Sequence, residues 1–262
     1  MSPLQTALLG AIAGGTIFLG LPIARVRGLD KRVQGLLNAT ATGILVFLLW
    51  DILSHAAQPV EAGLAGLRKG DPDGFWILAG VFAGGIAVGL LALVYFNGSV
   101  LRRLRRGHDH ASPRGLAMMI ATGLGLHNLS EGLAIGQSAH IGAIAFAGVL
   151  VIGFALHNVT EGFGIAAPLA TDTNPAPWSF LATAGLIGGG PTFVGTLLGY
   201  LASSTYVYVL FLALAAGAIL YVLNELFALG KRLNTPAAMG WGLLAGFTAA
   251  FGTDLILSYV AG

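Results

Sequence analysis

The stretch FWILAGVFAGGIAVGLLALVYF, residues 75–96, contains no charged side chain and is long enough to cross the apolar part of a bilayer as a helix. Seven further apolar runs occur along the 262 residues, separated by short polar links. Only 9% of the residues are charged, which is too few to cover a water-soluble domain of this size. The sequence therefore predicts an all-α integral membrane protein with eight transmembrane helices, in which residues 1–262 form a single domain.

The distribution of basic residues predicts the orientation of these helices. We expect the helices to begin near Leu4, Val33, Phe75, Leu116, Ile141, Trp178, Tyr206 and Ala237 and to end near Ala24, Ala57, Phe96, Gln137, Pro168, Ala202, Ala228 and Val260. Eleven of the thirteen Lys and Arg residues fall in the links after helices one, three and seven. Basic links stay on the cytoplasmic side, so both termini are expected on the extracytoplasmic side of the plasma (inner) membrane.

Internal repeats relate the two ends of the chain. Residues 123–137 match residues 153–167, and the segment that begins at Gly43 matches the segment that begins at Gly217. Gly14 in helix one has its counterpart in Gly189 of helix six. Helices one to three therefore form an inverted repeat with helices six to eight around a central pair, helices four and five, as in many transporters.

Two related hexapeptides stand in the middle of helices four and five. They read His127-Asn128-Leu129-Ser130-Glu131-Gly132 and His157-Asn158-Val159-Thr160-Glu161-Gly162. In each copy the His and Glu are four positions apart, so they share one helix face with the Asn on its flank. The chain has no cysteine, so a metal must be held by nitrogen and oxygen atoms. Two copies at one depth favour a Zn²⁺ site over a His-Glu hydrogen bond that only joins helices.

The other residues of the hexapeptides are expected to serve the helices themselves. Ser130 and Thr160 are predicted to bond to the backbone of the preceding turn, which bends a helix and makes room for an ion. Gly132 and Gly162 are predicted to be close-packing positions.

Four further polar residues lie inside or near predicted helices. Asp51 and His55, one turn apart near the outer end of helix two, either collect cations or form a solvated helix end. Glu225, near the inner end of helix seven, is the candidate on the exit side. Asp254, in the outer half of helix eight, is either a pathway ligand or a packing carboxyl group.

These residues and their spacing resemble the ZIP (Zrt/Irt-like) family of divalent-metal transporters over essentially the whole chain. The paired hexapeptides carry the resemblance, together with the Ala-Ala-Pro-Leu stretch at 166–169 and a cytoplasmic link that contains His108 and His110. These two histidines either accept the ion on the cytoplasmic side or belong to a solvated linker. The function that the resemblance implies is transport of Zn²⁺, or of Cd²⁺, Fe²⁺ or Mn²⁺, towards the cytoplasm.

The resemblance also implies roles for the hexapeptide residues. His127, Glu131 and Glu161 would ligate the transported ion, and Asn128 and Asn158 would face a neighbouring second site together with the two glutamates. His157 falls where the family varies, so its role as a ligand rests on chemistry alone.

Helix six differs from the family pattern. It has Gly190 where many members carry a carboxylate, so the second site lacks a negative charge. Two divalent ions side by side repel strongly unless carboxylates bridge them. We therefore expect one well-held ion per protomer at midplane.

The main alternative is an intramembrane metal-dependent hydrolase that uses the same His and Glu residues. Such an enzyme more naturally carries an HExxH helix, which the sequence does not contain. The expected partners are a divalent metal ion and the lipid bilayer, without a prosthetic group or nucleic acid, and the resemblance allows a homodimer.

Overall fold

A computed structural model of the protein describes residues 2–26, 29–67, 73–96, 112–140, 142, 144–172, 174–201 and 204–261. Within these ranges the regular secondary structure is helical, as predicted, and contains no strand. The long helices are α1 (Pro3–Gly15), α2 (Lys31–Leu67), α3 (Asp73–Phe96), α4 (Pro113–His140), α5 (Ile144–Ala166), α6 (Trp178–Leu201), α7 (Thr205–Leu233) and α8 (Pro236–Ala261).

Six segments of the described chain are long and apolar enough to cross a membrane. They are Pro3–Arg25, Lys31–Leu67, Gly74–Tyr95, Leu150–Ala170, Trp178–Leu201 and Thr205–Leu233. Helices α4 and α8 are not among the six, so the number of eight spans stays a prediction. Helix α4 carries the first hexapeptide and is largely buried by other helices, and a helix in such a place can be less apolar than one that faces lipid.

Helix α2 is longer than predicted. We expected it to end near Ala57, but it continues through Pro59 to Leu67. Gly63 in this extension packs against the backbone of Phe75 at the start of α3. The expected end was wrong because it was set where the apolar run ends. A helix can continue beyond such a run when contacts with neighbouring parts of the protein stabilise it.

Helix α1 is broken at Thr16. Beyond it the chain continues as a short helix, Ile17–Gly20, and a 3₁₀ turn, Leu21–Arg25. The Thr16 hydroxyl lies 2.7 Å from the carbonyl oxygen of Ala13 and 2.8 Å from that of Ala155 in α5. The break is therefore also a place where α1 is held against α5.

Glycines let α2 pack on α8 and α3 pack on α7 at backbone distance. A Cβ atom added to Gly43 of α2 would lie 2.2 Å from the carbonyl oxygen of Leu243 in α8. One added to Gly217 of α7 would lie 2.2 Å from that of Ile86 in α3. Gly43 and Gly217 are aligned by the sequence repeat, so equivalent glycines make equivalent contacts.

In the same two helix pairs, the partner helix also supplies a glycine that packs on a carbonyl oxygen. Gly246 of α8 packs on the carbonyl oxygen of Thr40 in α2, and Gly89 of α3 packs on that of Leu214 in α7. We call α2, α3, α7 and α8 the flanking group.

Helices α1 and α6 cross at another pair of equivalent positions. A Cβ atom on Gly14 would lie 2.1 Å from the carbonyl oxygen of Gly189, and one on Gly189 would lie 2.2 Å from that of Gly14. Such a reciprocal contact is what a pseudo-two-fold axis between the helices requires. We call α1, α4, α5 and α6 the motif group, because two of its helices carry the hexapeptides.

Two arginines join members of the motif group at one end. Nε of Arg114, at the start of α4, donates to Asp172 at 3.1 Å. Arg25, at the end of the α1 segment, donates to the carbonyl of Ala176 at 2.8 Å and lies over the ring of Trp178, 4.9 Å from its centroid. The link between α5 and α6 is thus fastened to both α4 and α1. We call this end of the molecule, where α2 and α4 begin and α7 ends, the basic end.

Candidate metal site

The first hexapeptide is buried midway along α4. His127 and Glu131 are 4% and 6% exposed, and Asn128 is completely buried. The Nε2 atom of His127 lies 3.2 Å from Oε1 of Glu131, which is the one-turn pairing that the spacing predicts. Asn158 and Glu161 of the second hexapeptide are also completely buried. Carboxylates at such depth are costly unless they meet a cation or a hydrogen-bond donor.

The Asn128 amide joins the two hexapeptides and helix α6. Its Nδ2 atom donates to Oε2 of Glu161 at 2.7 Å and to the carbonyl oxygen of Gly188 at 3.0 Å. Because a carbonyl oxygen can only accept, this contact fixes which end of the amide is nitrogen. The Oδ1 atom of Asn128 has no hydrogen-bond partner within the described residues. The side chain therefore keeps an oxygen available beside Glu161.

Asn158 is held in the equivalent way by helix α1. Its Nδ2 atom donates to the carbonyl oxygen of Ala13 at 2.8 Å, and its Oδ1 atom is also without a partner in the described part of the chain. Ala13 and Gly188 are 175 positions apart, and so are Gly14 and Gly189, which meet at the crossing of α1 and α6. The two asparagines therefore bond to carbonyl groups at equivalent positions of the sequence repeat.

The predicted roles of Ser130, Gly132 and Gly162 are confirmed, whereas the predicted backbone bond of Thr160 stays a prediction. The Ser130 hydroxyl donates to the carbonyl oxygen of His127 at 2.5 Å. A Cβ atom on Gly132 would lie 2.1 Å from the carbonyl oxygen of Thr192 in α6, and one on Gly162 would lie 2.0 Å from that of Ile17. The glycines let α4 approach α6, and α5 approach α1, closely enough for the asparagine bonds.

A cavity of about 70 Å³ connects His127 and Glu131 with the pair Asp51 and His55 on α2. It is lined by Asp51, Ile52, His55, His127, Ser130, Glu131, Ala134, Phe154, Tyr208 and Leu212. Nδ1 of His55 lies 3.2 Å from the Asp51 carboxylate. The cavity lies on the side of the hexapeptides that faces away from the basic end. Leu124 and Ile165, each one turn or so from a hexapeptide towards the basic end, have completely buried side chains in the apolar core.

The structure separates the two remaining acidic candidates. Asp254 of α8 interacts electrostatically with His55, so it belongs to the same region as the cavity. Glu225 of α7 lies towards the basic end and accepts a hydrogen bond from the Tyr221 hydroxyl at 3.2 Å.

Some expected ligands cannot be placed. His108 and His110 lie outside the described residues, as does the side chain of His157. In the part of the chain that the structure describes, no three His, Asp or Glu side chains are arranged to hold a metal ion.

His127 nevertheless interacts electrostatically with Glu131, Glu161 and Asp51, so carboxylates from three helices act on one imidazole.

The expectation that Gly190 of α6 marks a missing carboxylate stays a prediction. A Cβ atom at this position would meet no atom within 4 Å. Gly188 instead carries the carbonyl that binds Asn128, and its Cβ would point at Ile17 and Ile165. Two positions along a helix correspond to a turn of about 200°, so a side chain at 190 faces away from that at 188.

Three further parts of the site were not predicted from the sequence. They are Tyr208, which lines the cavity, and the carbonyl groups of Ala13 and Gly188, which orient the asparagines. A pattern of side chains does not indicate which backbone carbonyl groups take part in a site. The sequence feature that indicates these carbonyl groups is the glycine that follows each of them, Gly14 after Ala13 and Gly189 after Gly188.

Comparison with known proteins agrees with this arrangement. The family model described as ZIP zinc transporter matches residues 98–256, which is more than half of the chain and includes both hexapeptides. A search of curated proteins gives no match. ZIP proteins are membrane transporters of divalent metals rather than enzymes, so the alternative of an intramembrane hydrolase has no support. The chain belongs to the ZIP zinc transporter family.

Proposed function

We propose that the protein carries Zn²⁺, or a similar divalent ion such as Cd²⁺, Fe²⁺ or Mn²⁺, towards the cytoplasm through a site formed by the two hexapeptides. His127, Glu131 and Glu161 are the principal ligands, with Asn128 and Asn158 beside them. The observation that carries the proposal is the orientation of the two amides. Each amide donates its N–H groups to neighbouring acceptors, so each Oδ1 atom is left without a hydrogen-bond partner among the described residues, and the Asn128 amide contacts the buried Glu161 carboxylate. Oxygen and imidazole nitrogen are the ligands that a cysteine-free site offers to such ions.

The bond between Asn128 and Glu161 belongs to the metal-free site. An ion that binds Glu161 competes with the Asn128 amide for the carboxylate. His157 is the fourth ligand in this proposal, on its chemistry and its place in the second hexapeptide. One ion per protomer remains the expectation, because the two amides coordinate without cancelling charge.

The ion enters through the cavity and leaves at the basic end. The basic links favour a cytoplasmic position for that end in a plasma-membrane protein, with both termini on the other side of eight spans. Asp51, His55 and Asp254 then stand on the entry side, and Glu225, His108 and His110 stand on the exit side.

The reciprocal glycine contacts support the inverted repeat and with it an alternating-access mechanism. Equivalent positions meet both at the crossing of α1 and α6 and between the paired flanking helices. An inverted repeat allows the site to open to one side and then to the other by related movements. We expect the motif group to move against the flanking group, in a single-domain protomer that is able to form a homodimer.

Zinc flux into sealed vesicles that contain the purified protein tests the proposal. His127→Ala and Glu131→Gln each remove a ligand, and we expect uptake to fall about 10- to 100-fold at matched insertion. His140→Ala is the matched control, because this exposed histidine ends the same helix, lies against the ring of Tyr200 and does not line the cavity. Normal uptake by both ligand variants would reject the site.

A further inference from the structure

Tyr208 adds a polar group of helix α7 to the lining of the proposed ion path, to which α2 of the flanking group already contributes Asp51 and His55. It lies one turn into α7, and its half-buried side chain lines the cavity together with residues of α2, α4 and α5. It interacts electrostatically with both Asp51 and Glu131. These two carboxylates belong to the two ends of the proposed route from the entry pair to the hexapeptides, and Tyr208 lines the same cavity as both of them.

The other side chains that line the cavity leave a particular role for this phenol. Ile52, Ala134, Phe154 and Leu212 are apolar. Asp51, His55, His127 and Glu131 ionise, and the Ser130 hydroxyl is bonded to the backbone of its own helix. Tyr208 therefore supplies a neutral hydroxyl group to this cavity in addition to Ser130.

A phenol hydroxyl suits both the empty and the occupied cavity. Its hydrogen is able to donate to a carboxylate, and its oxygen is able to present a lone pair to a cation. A carboxylate lacks the first property, and a phenylalanine ring lacks both.

We propose that Tyr208 is a positioning residue of the entry path, whose hydroxyl passes the divalent ion from Asp51 and His55 to His127 and Glu131. The inference rests on the proposed function. In this inference, α7 contributes directly to binding of the incoming ion. The contributing group is the Tyr208 hydroxyl and not its ring.

Tyr208→Phe isolates the hydroxyl because the ring and its packing remain. Loss of one hydrogen-bonding group corresponds to about 0.5–1.5 kcal/mol, or roughly a 2- to 12-fold change in an equilibrium. We expect the KM for external Zn²⁺ to rise by this factor, with unchanged maximal rate and unchanged thermal unfolding. Tyr206→Phe is the matched control, since Tyr206 is exposed on the same turn and lines no part of the cavity.

The readouts separate this inference from the proposed function. A Tyr208→Phe protein with wild-type KM, or one that loses maximal rate and stability together at constant KM, overturns the role of the hydroxyl while transport by the wild type stands. Equilibrium binding of Zn²⁺ to the detergent-purified proteins gives a second measurement. Weaker binding by Tyr208→Phe than by Tyr206→Phe is the expected result. A wild type that neither carries nor binds zinc overturns both proposals.

Discussion

Replacing Asn128 by Asp tests the polar contacts of the site in one step. The change keeps the shape of the side chain but puts an acceptor where Nδ2 now donates to Glu161 and to Gly188. Loss of a bond to a carboxylate costs about 1.5–3 kcal/mol and loss of a bond to a carbonyl about 0.5–1.5 kcal/mol. Together they amount to about 2–4 kcal/mol, before repulsion between the two carboxylates.

The assay is thermal unfolding of purified protein in zinc-free buffer and with added Zn²⁺. For a chain of this length, a loss of 2–4 kcal/mol lowers Tm by about 5–15 °C. Zinc should restore more stability to Asn128→Asp than to the wild type, because a divalent ion between two carboxylates replaces repulsion by attraction. Asn174→Asp, which adds the same charge at an exposed position, is the control.

The reasoning fails if Asn128→Asp melts within about 1 °C of the wild type without zinc. It also fails if zinc raises the Tm of both proteins equally, because the new carboxylate would then not face the ion.

Three further predictions concern packing, pH and direction. Gly189→Ala should lower Tm by several degrees, since its Cβ would lie 2.2 Å from the carbonyl oxygen of Gly14, whereas Gly190→Ala, which meets open space, should leave Tm unchanged or higher. Zinc uptake should fall from about pH 8 to pH 5, because protons compete with metal for imidazole and carboxylate ligands, and a flat profile would exclude those ligands. Asp51→Asn should chiefly raise KM and Glu225→Gln should chiefly lower the maximal rate; kinetics that change only KM in both would reject the assigned direction.

The sequence was most informative where a property repeats along a helix. The four-residue spacing of His127 and Glu131 predicted a pairing that the structure contains. The alignment of Gly14 with Gly189 predicted equivalent positions, and these two glycines meet. The first of these signals is local, because helix geometry alone converts a four-residue spacing into positions in space.

What the sequence did not reveal depends on contacts between helices. Tyr208 is near the start of α7, where an interfacial aromatic residue is the ordinary interpretation, and only packing places it beside Glu131. Gly190 was assigned to the site through the family resemblance, and this stays a prediction, whereas the contact of the Gly188 carbonyl with Asn128 could not be read from the sequence. A resemblance in sequence does not fix the rotation of a helix, which neighbouring backbones decide.

The size of the entry cavity bears on selectivity between Mg²⁺ and Zn²⁺. About 70 Å³ has room for only a few water molecules. An ion that arrives with a complete shell of six waters must therefore exchange some of them for protein atoms before it reaches His127. Mg²⁺ gives up its waters reluctantly and requires near-ideal octahedral geometry, whereas Zn²⁺ accepts four ligands in a tetrahedron. On the proposed route, a cavity of this size would favour ions that dehydrate easily, before any ligand of the hexapeptides is engaged.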